Sequence, residues 1–98
     1  MYTATMRYIV KEEFFEEVCG IWKESILSKA EAAPGLVRMQ FLTAKPQALA
    51  IGTWKDKKDA AAFMQTGVFK KLMERIEPML VSRPESEQWE LLHFCAGK

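Results

Sequence analysis

Apolar and polar residues alternate over 3–10, "TATMRYIV", and β-branched and aromatic types are frequent there, so the stretch predicts a first strand. From residue 12 the period changes. Phe15, Val18 with Cys19, Trp22, Ile26 and Ala30 recur at spacings of three and four, which predicts an amphipathic helix over 12–32. Its first turns carry Glu12, Glu13, Glu16 and Glu17, where carboxylates suit the positive end of the helix dipole. Gly20 inside it costs about 1 kcal/mol relative to Ala, which close packing against a neighbour would explain. "APG" at 33–35 stops the helix. A second strand follows at 36–42, "LVRMQFL", then a turn containing Pro46, then a third strand at 48–54, "ALAIGTW". Asp56 is placed to cap a short helix over 57–65, with Asp59 in a weaker form of the capping box. That helix breaks at Thr66-Gly67. It resumes over 68–77 with Phe69, Leu72, Met73 and Ile76 on one face, up to Pro78. "SRPESEQ" reads as a polar loop and "WELLHF", 89–94, as the fourth strand.

The order is β-α-β-β-α-β, a ferredoxin-like α+β arrangement with helices on one face of an antiparallel sheet, formed by residues 1–98 as a single domain. Strand parity separates two faces. Ala4, Met6, Tyr8, Val10, Val37, Met39, Phe41, Leu92 and Phe94 form the more apolar set, assigned to the helices. Thr3, Thr5, Arg7, Ile9, Leu36, Arg38, Gln40, Leu42, Trp89, Leu91 and His93 form a mixed set on the other face. A monomer would expose the large apolar groups of that second set, so the pattern predicts a homodimer that covers them. Strand three fits either orientation: Leu49, Ile51 and Thr53 face one way, Ala50, Gly52 and Trp54 the other.

Composition narrows the function classes. Hydrophobic residues make up 49% of the 98, enough for a core, yet no apolar run reaches the ~20 residues of a membrane span. Fourteen basic and 13 acidic residues give a net charge of +1, which offers no electrostatic case for nucleic acid or an anionic membrane. The first residues lack a signal-peptide pattern, so a cytoplasmic location is expected. Cys19 and Cys95 form no CxxC motif. With the single His93 they fall short of a four-ligand zinc site, so no metal is expected and both cysteines are expected as reduced, buried small hydrophobes. His93, the single imidazole, stands without an implied nucleophile and is expected as a satisfied interface residue. "KDKKD" at 55–59 reads as a solvated turn.

Three stretches, "APGLVRMQFL", "ALAIGTWKDKKDAAAF" and "TGVFKKLMERI", resemble the antibiotic biosynthesis monooxygenase family of dimeric α+β barrels. The likeness extends over essentially the whole chain. It implies a homodimer and a pocket between sheet and helices in each subunit. Members include cofactor-independent oxygenases of aromatic polyketides, quinol oxygenases, haem-degrading enzymes and proteins of no known activity. The haem-degrading branch carries an Asn on strand one, a Trp on the helix after strand three and a His, the haem ligand, in the resumed helix. Aligned on the Trp-Lys turn and the Val-Phe-Lys segment, these positions fall on Met6 or Thr5, on Phe63 and on Met73. None of the three residues is kept, which speaks against haem chemistry.

The oxygenase branch needs no cofactor, because an electron-rich, deprotonated substrate itself supplies electrons to oxygen. The protein then contributes a dry pocket, a donor near the oxyanion and aromatic walls for a flat ring. Tyr8 and Trp54 are the candidate catalytic donors. Met6, Trp22, Met39, Phe41, Phe63, Phe69 and Met73 are the candidate substrate-binding residues, Trp22 also offering an indole N–H. Each has an ordinary packing role as the competing explanation. Arg7 and Arg38 are sent by parity to the dimer face. The sequence therefore supports two functions: a cofactor-independent monooxygenase acting on a small aromatic or quinone-type molecule, or a non-catalytic homodimeric module that binds a small hydrophobic ligand.

Overall fold

The computed structural model describes residues 1–97. Four strands, β1 (Tyr2–Ile9), β2 (Leu36–Ala44), β3 (Gln47–Trp54) and β4 (Glu85–Glu90), form one antiparallel sheet in the order β2-β3-β1-β4. One face carries α1 (Phe15–Trp22), α2 (Ser28–Ala30), α3 (Lys57–Gln65) and α4 (Val68–Ile76). This is the ferredoxin-like α+β fold expected from the sequence.

The first helical stretch is less regular than its spacing suggests. It opens with a 3-10 turn at Glu12–Phe14, and a π-helical turn, Lys23–Leu27, joins α1 to α2. At that turn the Ser28 hydroxyl donates to the Glu24 carbonyl at 2.6 Å, drawing on a group that the helix ladder would otherwise use. The second helical stretch follows the pattern closely. The Asp56 carboxylate accepts from the Lys58 backbone N–H at 3.0 Å, satisfying one of the free donors of the first turn of α3. Gly67 adopts φ 83°, a left-handed conformation that turns the chain from α3 into α4. Tyr8, Val10, Val18, Leu72 and Ile76, fully buried, form the centre of the core between the sheet and the helices.

Cross-strand register settles the two faces. Tyr8 pairs with Ala48, Met6 with Ala50, Ala4 with Gly52 and Tyr2 with Trp54, so β3 directs Ala48, Ala50, Gly52 and Trp54 to the helices. Thr3, Thr5 and Arg7 lie on the other face with Thr53, Ile51 and Leu49, as parity predicts for β1. β2 departs from strict parity at its start. A bulge between Leu36 and Arg38 places Leu36 opposite Trp54 on the helix face and leaves Val37 45% exposed, the reverse of the expected assignment.

β4 is the largest correction. The strand occupies 85–90, so it begins inside the stretch read as a loop and keeps only Trp89 and Glu90 of the predicted 89–94, and residues 91–97 lie outside the sheet. The apolar "LLHF" drew the prediction toward the C-terminus, but β1 sets the limit. Tyr2 pairs with Glu90, and the last backbone contact is Leu91 N–H to Met1 O at 2.8 Å, after which no strand remains to pair with. "ESEQWE" needs no apolar alternation because every residue of this edge strand is exposed, and charged edges resist further pairing. Leu92 and Phe94, expected on the helix side, are 76% and 62% exposed. Both cysteines are free thiols. Cys95, expected to be buried, is exposed, and Cys19 is half-buried.

Candidate functional site

A cavity of about 260 Å³ lies between the helix-facing side of the sheet and the α3–α4 pair. Small residues create it. Ala4 on β1, Ala50 and Gly52 on β3 and Ala60 on α3 line it with little side chain, so sheet and helix do not meet there. A Cβ built on Gly52 would lie 3.1 Å from the Trp54 Nε1 and 3.2 Å from the Met39 Cε, so side chains already close over this position. The other walls are large and apolar. Trp54 and Phe63 meet at a ring-centroid distance of 5.3 Å and 42° between planes, and Phe69 and Val68 continue that wall along α4. Tyr8, Trp22 and Ile26 line the part nearest the core. Lys57, Met64, Ser86 and Gln88 are lining residues that are also exposed, and they form the rim. The Gln88 amide donates to the Ser86 hydroxyl at 3.0 Å across that rim.

The cavity brings together seven of the nine residues singled out from the sequence: Met6, Tyr8, Trp22, Met39, Trp54, Phe63 and Phe69. Phe41 and Met73 are not among its lining residues. Phe41 stacks on Trp22 from behind, with centroids 4.3 Å apart and planes 22° apart, and Met73 packs against the core from α4. Trp54 is 3% exposed and on the helix face, which resolves the open orientation of strand three. Arg7 and Arg38 lie on the opposite face, as expected. The Arg7 guanidinium donates to the Gln47 side chain at 2.8 Å, and that of Arg38 sits 4.9 Å from the Phe94 ring centre. Gly52, Lys57, Ser86 and Gln88 were not found from the sequence. Lys57 was read as solvated turn and the two β4 residues as loop. For Gly52, the run of small residues at Ala48, Ala50 and Gly52 was the available signal.

Tyr8 is the titratable group nearest the core end of the cavity. Burial pushes its phenol far above the ordinary range, and a hydrogen bond from the Trp22 side chain recovers part of the shift. An indole N–H only donates, so the Tyr8 oxygen is the acceptor in that pair. Tyr8 therefore stays protonated throughout the neutral range, and its own proton is available to an acceptor inside the cavity. Burial also pushes the Cys19 thiol up, with Glu16 adding to the effect, so Cys19 is not an activated nucleophile. Among the described residues, no group of three His, Cys, Asp or Glu side chains is placed to hold a metal ion. No helix among them is long and apolar enough to cross a membrane.

No protein-family model and no curated protein sequence matches the chain. Solved structures do match. A crystal structure of an antibiotic biosynthesis monooxygenase superposes with a TM-score of 0.81 at 16% identity, covering 95% of this chain and 100% of that one. The chain has the fold of that monooxygenase. The same fold occurs in a protein of unknown function from Nitrosomonas europaea, with a TM-score of 0.85, 19% identity and coverage of 99% and 94%. It occurs also in a variant of SnoaB, a cofactor-independent oxygenase from Streptomyces nogalater, with a TM-score of 0.79, 16% identity and coverage of 95% and 94%. At these identities the likeness concerns the monooxygenase fold, in which the cavity described above is embedded.

Proposed function

We propose that the protein is a cofactor-independent oxygenase of a small, electron-rich aromatic compound such as a phenol whose keto tautomer carries a methylene. The observation that carries this reading is the neutral Tyr8 hydroxyl, buried beside Trp22 at the inner end of an apolar, aromatic-walled cavity. The fold shared with an oxygenase that works without a cofactor supports it. Tyr8 donates to the oxyanion of the ionised substrate. The Trp54 indole N–H, close above Gly52, is the second donor at the cavity floor. Such donors are worth more in a water-poor site than in solution. The aromatic and Met walls hold the ring flat and keep water away from the reacting carbon.

The substrate anion passes electrons to oxygen and forms a carbon–oxygen bond. The resulting hydroperoxide loses water and leaves a carbonyl, so one methylene and one O₂ give one ketone and one H₂O. The protein need not supply an electron carrier for this balance. Nor do the described lining residues offer a strong base, since Tyr8 keeps its proton and Lys57 is the one charged side chain among them. The ionised substrate is therefore captured rather than generated by the protein.

The decisive experiment measures oxygen uptake with 1-naphthol, without added cofactor, in the wild type and in Tyr8→Phe. Protein-dependent uptake of one O₂ per substrate, without peroxide release, and a clear loss in Tyr8→Phe are expected. Uptake equal to buffer, with 1-naphthol shown to bind, would leave the second reading. That reading is a non-catalytic module that binds a small aromatic ligand, and the missing acid–base pair in the cavity favours it. In either case we propose that the protein works as a homodimer joined through the open sheet face, where Ile51, Leu42 and Trp89 lack a covering layer.

A further inference from the structure

Two properties of the cavity restrict what it accepts, and both deepen the oxygenase reading on which this inference rests. The first is volume. An apolar protein cavity of roughly 150 Å³ holds one benzene ring. At about 260 Å³ this cavity has room for two fused rings and not for the three- and four-ring skeletons of large polyketides. The second is the distribution of polarity. Apart from the Tyr8 hydroxyl, the indole N–H groups and the hydroxyl of half-buried Tyr2, the interior is apolar. The exposed rim holds Lys57, Ser86 and Gln88. Lys57 is the one charged side chain among the described lining residues, and no carboxylate is among them.

We propose that the cavity selects a two-ring phenol bearing a carboxylate, with the hydroxylated ring inside against Tyr8 and the carboxylate at the rim against Lys57. The orientation follows from desolvation. A carboxylate at the core end would lose its hydration for neutral donors alone, whereas at the rim it keeps water and gains the ammonium and the Gln88 amide. The phenolic oxygen is smaller and has its donor already in place.

Binding under argon tests this without requiring turnover. Trp22 and Trp54 line the cavity, so quenching of their fluorescence reports occupancy. The probes are 5-hydroxy-1-naphthoate, whose hydroxyl and carboxylate lie on different rings, 1-naphthol and 1-pyrenecarboxylate, which has four fused rings. The naphthoate should bind about two- to fivefold tighter than 1-naphthol, the range expected of a partly solvated ion pair. Lys57→Gln should abolish that advantage, so that the naphthoate and 1-naphthol bind equally to the same variant. Pyrenecarboxylate should not compete. Equal affinities for naphthoate and naphthol, an advantage that survives in Lys57→Gln, or competition by pyrenecarboxylate would each overturn the proposal. Failure of the oxygenase reading looks different. There the naphthoate binds as expected and no oxygen is consumed when air is admitted.

Discussion

Trp22 lies face to face with Phe41, their ring centroids 4.3 Å apart, and presents its other side to the cavity. The pair divides the aromatic residues into those that touch a ligand and those that hold the former in place. Phe41→Ala should therefore lower stability by about 2–3 kcal/mol, less than the ~3–5 kcal/mol of a fully buried Phe because Phe41 is only partly buried. Urea unfolding checks the midpoint. Ligand affinity in the same variant should fall as well, since Trp22 loses the surface that orients it. Unchanged stability would mean that the stack contributes nothing beyond contact.

Gly52 is the position at which the cavity is most easily filled. Its added methyl would sit 3.1 Å from Trp54 Nε1 and 3.2–3.3 Å from the end of Met39, a flexible side chain that can yield. Gly52→Ala should fold normally and bind aromatic ligands several-fold more weakly. Gly52→Val should bind them hardly at all. Fluorescence titration with 1-naphthol measures both, and full binding by Gly52→Val would move the ligand elsewhere.

Tyr8 gives the protein a pH signature. Its phenol is raised on folding, so the folded state holds a proton that the unfolded chain releases above about pH 10. Stability from this group is complete below that pH and falls as pH rises, by up to about 1.4 kcal/mol per pH unit. Tyr8→Phe should flatten the alkaline limb of a stability–pH profile and leave the neutral range little changed. Oxygen uptake, by contrast, should rise with the ionisation of the substrate phenol, because the described lining residues include no carboxylate or imidazole to take its proton. A profile that follows a protein group across substrates of different acidity would refute this.

Ile51 stands in the open sheet face between Thr5 on one side and Gln40 on the other. If a second copy covers that face, Ile51→Lys places a charge in the interface and should shift sedimentation from dimer to monomer at micromolar concentration. The wild type should sediment as a dimer. A monomeric wild type would refute the interface.

Local signals carried most of the architecture. The switch from a period of two to a period of three to four located β1 and the first helical stretch. Asp56 and Gly67 marked the limits of α3 because capping and left-handed turning are local backbone requirements. The aromatic residues of the cavity were legible as large apolar groups near one face. What periodicity could not give was β4. An exposed edge strand has no buried face to impose a pattern, so its position follows from the length of β1 and the pairing of Tyr2 with Glu90. The bulge at Val37 was hidden for a similar reason, since one extra residue reverses parity without altering composition.

The sequence by itself determined the order of elements, the helix-facing residues of β1 and the ends of α3, because each depends on groups a few positions apart. Only the tertiary structure decided that Phe41 stands behind Trp22, that Trp54 faces the helices, and that Lys57, Ser86 and Gln88 share one rim. Those facts depend on which surfaces meet when distant segments pack. A cavity is the space left where small residues from three elements, Ala4, Gly52 and Ala60, fail to fill it. No single stretch of chain encodes that space.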